Sequence, residues 1–156
     1  MSLKEYKEKR DFSKTTEPKD SKIKRKKKGL AYAIQHHQAS HLHFDLRLEE
    51  EGVLKSWAIP KIPLGLEKGI KRLAVETEDH PLGYEEFEGT IPEGEYGAGT
   101  VEIWDSGDYL LLQRTSSKRI MEIRGEKLKG TYCLIKLKAK DPEDKNWLFF
   151  KLKEKK

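Results

Sequence analysis

Positions 36–50 read HHQASHLHFDLRLEE and hold four of the chain's five histidines beside an aspartate and an arginine. Imidazoles and a carboxylate are ligands for a divalent metal, and a guanidinium beside them is a ligand for phosphate. In an extended strand, side chains at i, i+2 and i+4 share one face at steps of about 6.6 Å. His43, Asp45 and Arg47 therefore point the same way. His37 precedes His43 by six residues, across QASHL, and folds back as a candidate third ligand. Two imidazoles and one carboxylate leave coordination positions open, as catalysis requires. Arg47 would then offer its planar fork to a phosphate oxygen beside the ion. The pattern alone leaves other trios open. His36 has the opposite strand parity from His37, and His41 precedes the strand proper, so these two read as bystanders. A set of structural or surface histidines is the plainer alternative.

The fifth histidine, His80, sits in ETEDHPLGYEEFEG with Glu78, Asp79, Tyr84, Glu85, Glu86 and Glu88. This stretch could supply an acid or base, a phosphate contact, or only an exposed acidic loop. Asp79 or Glu78 could orient a ligand histidine from behind. GEYGAG spaces its glycines as G-x-x-G-x-G before a strand and reads as a turn. Neither a GxxxxGK[ST] phosphate loop nor a GxSxG elbow is present, which removes support for ATP hydrolysis and serine-hydrolase chemistry.

The elements that must hold these groups are strands. HLHFDLRLEE alternates, with Leu42, Phe44, Leu46 and Leu48 opposite the polar set, the mark of a half-buried strand. LAYAIQ precedes it, and VLKSWAIP follows the Glu51-Gly52 turn as a hairpin partner. Residues 61–71 read as a loop, RLAVETE as a strand, and 79–99 as a long polar turn-rich segment. TVEIWD and DYLLLQ flank Ser106-Gly107 as a hairpin, and KRIMEIRG, GTYCLIKLK and NWLFFKLK are further strands. No window carries a long helical period. Many short, closely spaced strands predict a sandwich or a barrel, in one domain without repeats.

Composition bounds the rest. The chain has 156 residues, 35% hydrophobic and 38% charged, enough for one domain with a modest core. No apolar run approaches membrane-spanning length, and MSLKEYKEKRDF lacks the apolar region of a secretory signal. The single cysteine, Cys133, excludes an internal disulfide and a cysteine zinc cluster and fits a reducing cytoplasm. Its place in TYCLIKL predicts a buried, inert thiol. The net charge of +5 is uneven: residues 1–28 carry +7 and residues 151–156 carry +3, around an acidic body. Basic ends favour a polyanion, although KIKRKKK alone could be a solubilising run. Residues 1–28 are expected to be flexible when alone, with Tyr6 and Phe12 able to anchor them on the body.

Several blocks together carry a family likeness. HQASHLHFDLRLE, LKSWAIPK, RLAVETEDHPLGY, FEGTIPEGEYGAGTVEIWD and the arm RDFSKTTEP resemble, in order, the 3′-phosphoesterase domain of bacterial DNA ligase D. With no ligase or polymerase domain attached, the chain reads as a stand-alone version. The resemblance implies an all-β fold: a small closed or partly closed β-barrel of about eight strands, with flanking loops and short helices, over 29–156. Residues 1–28 would be a basic arm serving the active site or the DNA grip. It implies a manganese-dependent enzyme that removes a 3′-terminal ribonucleoside and then the 3′-phosphate, leaving a 3′-hydroxyl. Carried across, the metal ligands are His37, His43 and Asp45. Phosphate and transition-state contacts are Arg47 and His80, with Tyr84 beside them. Lys61, Arg72 and Glu78 are accessory positions, and Arg10, Asp11 and Glu17 belong to the arm. His41 stands where arginine is common and Gln38 where aspartate is common, so a ligand set including His41 stays conceivable. DNA or RNA-tipped primer-template ends, and a separate ligase or end-joining protein, are the implied partners, with no membrane. A non-catalytic end-binding module and a cupin-like barrel acting on a small molecule are the competing readings.

Overall fold

A computed structural model describes residues 3–21, 29–138 and 144–153. Apolar alternation along the second strand puts Phe44, Leu46 and Leu48 inward, and the same period along its neighbours closes a core around Tyr32, Ile34, Trp57, Tyr109, Met121, Leu134 and Phe149. The strands are β1 (Leu30–Gln38), β2 (Leu42–Glu50), β3 (Val53–Ile59), β4 (Arg72–Pro81), β5 (Gly89–Ile91), β6 (Gly99–Thr115), β7 (Lys118–Gly125), β8 (Lys129–Lys136) and β9 (Asn146–Lys151). The order β1-β2-β3-β4-β9-β8-β7-β6, with β6 pairing back onto β1, closes an eight-stranded antiparallel barrel. Short β5 adds to the outer part of β6. Closure removes the free edges of the sheet. One helix, α1 (Lys4–Glu8), precedes the strands. Among the described residues no helix is long and apolar enough to cross a membrane.

Two elements differ from the sequence expectation. Ser106-Gly107 is not a turn: β6 runs unbroken for 17 residues, pairing with β5 at its start, with β1 over its first half and with β7 over its second. Gly107 faces Gly125 of β7, and a Cβ on Gly107 would collide with the Arg124 carbonyl oxygen. The glycine serves close strand approach there, not reversal. The second difference is His80. It lies inside β4, opposite Leu54, and not in a loop. A bulge between Leu54 and Ser56 adds a residue to β4 at this point.

Residues 3–21 pack on the outer face of the barrel. Tyr6 is fully buried there with Leu54 and Tyr84, flanked by Phe12, Leu82 and Phe87. The basic run KIKRKKK lies outside the described residues. Cys133 is buried, and burial pushes its thiol pKa up.

Candidate active site

The polar face of β2 is covered on the outside of the barrel. Asp45 and Arg47 are buried and His43 is half-buried, so this strand is sequestered on both faces. Strand pairing then assembles the site. His37 of β1 stands opposite His43, and Gln35 stands opposite Asp45. On the other side Ala58 and Ser56 of β3 stand opposite Asp45 and Arg47. Because of the β4 bulge, Thr77, Glu78 and His80 all reach the same pocket, which strict alternation would forbid.

His37, His43 and Asp45 form a group that could hold a metal ion, with one ligand atom from each within 4.8 Å of the others. His37 Nε2 donates to the Gly97 carbonyl at 2.7 Å, and its Nδ1 lies 3.5 Å from Asp45 Oδ2. A carbonyl behind the far ring nitrogen is the usual orienting device for a ligand histidine. His43 Nδ1 lies 2.7 Å from Asp45 Oδ1. Burial alone would raise the Asp45 carboxyl. The charge of Arg47 and hydrogen bonds from His37 and His43 outweigh it and hold the group well below the ordinary carboxylate range. Asp45 is therefore anionic, as a ligand must be. This donor set of two nitrogens and one oxygen fits a divalent transition metal with open positions.

Cations and a neutral imidazole stand beside the triad. Arg47 Nε donates to Gln35 Oε1 at 2.9 Å and Nη2 to Asp45 Oδ2 at 3.4 Å, so its plane is fixed from two sides. Gln35 is itself anchored by the carbonyls of Tyr84 and Phe87, at 2.7 and 2.9 Å. The His80 ring lies between two guanidiniums, with Arg47 Nη1 3.3 Å from Nδ1 and Arg10 Nη2 3.4 Å from Nε2. The Glu78 carbonyl, 3.0 Å from Nδ1, can only accept, which assigns the proton to Nδ1 and the lone pair to Nε2. Burial, then Arg47 and Arg10, lower the His80 pKa well below its ordinary value, so the ring is neutral.

The arm completes the wall. Arg10 Nε donates to Glu17 at 2.9 Å, and the Tyr84 hydroxyl donates to the same Glu17 oxygen at 2.6 Å. Burial raises the Tyr84 pKa, keeping the hydroxyl a donor. Arg10 Nη1 also reaches Glu78, at 3.3 Å. Burial would raise the Glu78 carboxyl, but its own backbone N–H, Arg10 and Lys9 keep it low.

Of the residues singled out in the sequence, the pocket is lined by Arg10, His37, His43, Asp45, Arg47, Glu78, His80 and Tyr84, with Glu17 immediately behind. Lys61 and Arg72 are not brought to it. Lys61 is exposed beyond the end of β3, and Arg72, at the opposite end of β4 from His80, donates to the Ile62 carbonyl at 3.0 Å. Asp11 is exposed and accepts from Ser13 within the arm. Asp79 pairs with Lys55 at 3.1 Å, and neither Asp79 nor Glu78 orients His37, a task done by Gly97. Glu85 turns back onto the Gly83 N–H. His41 is exposed, and His36 stacks on Phe44 at 4.6 Å on the barrel's inner side.

Residues 35–136 match the family model for the DNA ligase D 3′-phosphoesterase domain. The chain belongs to this family. It is 45% identical over 158 residues to the multifunctional non-homologous end joining protein LigD of Pseudomonas aeruginosa, covering 97% of this chain and 19% of that protein. The LigD of Mycolicibacterium smegmatis is 43% identical, across 97% of this chain and 20% of its own length. The LigD DNA repair protein of Mycobacterium tuberculosis is 42% identical, across 99% and 20%. The chain thus spans about a fifth of the length of the relatives it matches.

Sequence reading missed Gln35, Ser56, Tyr96 and Gly97. Gln35 shares parity with His37 in β1, a signal available once the strand is extended past LAYAIQ to Gln38. Gly97 had no such signal, because a carbonyl's role is independent of its side chain.

Proposed function

We propose that this protein is a metal-dependent phosphoesterase acting on DNA 3′ ends. It removes a 3′-terminal ribonucleoside and then the remaining 3′-phosphate, to leave a 3′-hydroxyl for end joining. The observation that carries this reading is one pocket holding an N,N,O ligand triad against Arg47, Arg10 and a neutral His80. Family membership and relatives named for non-homologous end joining support DNA ends as the substrate. The cupin-like alternative leaves the arginine pair without a task.

His37, His43 and Asp45 would hold the ion, for which we propose Mn²⁺. Bound there, it supplies Lewis-acid neutralisation of a phosphate oxygen. The protein's own groups do the rest. Arg47, fixed by Gln35 and Asp45, keeps a preset donor plane toward the phosphate, so little reorganisation is needed as charge develops. Arg10 faces the phosphate from the arm, held by Glu17 and Glu78. His80 Nε2 carries a lone pair in the free protein and cannot donate from that atom. A bound phosphate dianion would offset the two guanidiniums and favour protonation, after which Nε2–H can bond a phosphate or leaving oxygen.

The test is phosphate release from a primer-template ending in a 3′-phosphate, with Mn²⁺ added. Wild type should turn over, EDTA should stop it, and His43→Ala should abolish it with the fold intact by circular dichroism. Equal release by His43→Ala would overturn the ligand assignment. DNA binding without release across several divalent metals would leave a binding module instead.

A further inference from the structure

Tyr96 differs from the other aromatic side chains of the site. Tyr84 and Tyr6 are buried, whereas Tyr96 lines the rim of the pocket and is 43% exposed. Two cations of the arm lie against its ring, with Lys9 Nζ 4.8 Å and Arg10 Cζ 5.1 Å from the centroid. Lys9 Nζ also lies 3.4 Å from the Tyr96 hydroxyl, so the ring is held from the arm side. From the other side it is held by the backbone. Gly97, in a left-handed conformation at φ +77°, turns its carbonyl onto His37 and fixes the neighbouring Tyr96 beside the ligand triad. Tyr96 is anchored at both ends and still open to solvent, at the mouth of the pocket that holds Arg10 and Arg47.

We propose that Tyr96 and Lys9 form a nucleoside subsite. The ring stacks on the base of the 3′-terminal nucleotide whose phosphate enters the pocket, and Lys9, paired with Glu5 at 3.1 Å and Glu78 at 3.3 Å, braces the ring from the arm side. This deepens the proposed function and rests on it. An aromatic face stacks on any base and reads none of the hydrogen-bonding edges. The subsite therefore accepts all four bases and discriminates against an end that lacks one.

The test compares primer-templates ending in a 3′-phosphate on either a normal nucleotide or an abasic sugar. Affinity is read by fluorescence anisotropy with no metal added. Wild type should prefer the base-bearing end by about tenfold, in line with one lost stacking contact. Tyr96→Ala should erase the preference, and Tyr96→Trp should keep it. Loss of affinity for both ends equally in Tyr96→Ala would overturn the subsite and assign the ring a structural role behind Gly97. An unchanged preference would overturn it as well. Phosphate release with Mn²⁺ separates the two claims. Release without base preference sinks the subsite alone, whereas base preference without release sinks the catalytic reading alone. Failure to bind either end counts against both.

Discussion

Asp45 and His80 are adjacent in function but opposite in electrostatic character, and each makes its own pH window. Asp45 is held anionic by Arg47 and two imidazoles despite its burial. Its stabilising effect is present above the ordinary carboxylate value of about 3.9 and is lost as pH falls below it. His80 is held neutral by burial and two guanidiniums. Above about pH 6.5 it is neutral in both folded and unfolded chains and has no effect. Below that value the unfolded chain binds a proton that the folded chain refuses, so stability falls on acidification, by at most about 1.4 kcal/mol per pH unit. Urea melts between pH 7 and 5 should show this slope in wild type and a shallower one in His80→Gln. Identical slopes would mean that His80 does not titrate as described. The ligand triad has a matching residue-scale prediction. Excess Mn²⁺ should raise the melting temperature of wild type, by the equivalent of about 2.7 kcal/mol at a hundredfold excess over Kd. Asp45→Asn should remove that rise. For Arg47, replacement by Ala should lower kcat by about 10²- to 10³-fold, and Lys should rescue little because Gln35 and Asp45 engage two edges of a planar fork.

At the scale of elements, the site depends on three devices: the β1–β2–β3 register, the β4 bulge and the docked arm. The arm makes its own apolar cluster around Tyr6, separate from the barrel core. Tyr6→Ala should therefore release the arm before it unfolds the barrel. Limited proteolysis should cut within residues 3–21 faster, while the main denaturation midpoint moves little. A large shift in that midpoint would mean that arm and barrel fold as one unit. Arg10 and Glu17 ride on this segment, so the same variant should lose activity without touching a metal ligand. In β6, Gly107→Ala should destabilise the barrel by about 1–3 kcal/mol, because the added methyl meets the β7 backbone and no flexible side chain can yield.

The whole molecule separates charge from shape. Its acidic body carries a pocket lined by Arg47 and by Arg10 of the arm, while the strongest run of positive charge, KIKRKKK, is adjacent in sequence to the docked segment. Affinity for DNA ends should fall with salt, the logarithmic slope approaching about 0.9 per phosphate contacted. Changing the lysines of 22–28 to glutamine should flatten that slope and leave metal affinity unchanged. A slope that stays the same would place the DNA grip elsewhere.

What the chain determines by itself is periodicity and residue chemistry. The alternation of HLHFDLRLEE specified a strand with His43, Asp45 and Arg47 on one face, and the spacing of the apolar blocks specified an all-β domain. Those are local properties, set by side chains two residues apart. Tertiary structure decided everything that depends on chain approaching chain. It carried β6 through Gly107, because the need for a close β7 neighbour outweighed the turn propensity of Ser-Gly. It brought His80 onto the site face through a bulge that no alternation announces. It left Lys61 and Arg72 outside the pocket while drawing in Gln35 and the Gly97 carbonyl. Proximity to a shared centre is a property of strand register and barrel closure, and neither is written in the spacing of any one segment.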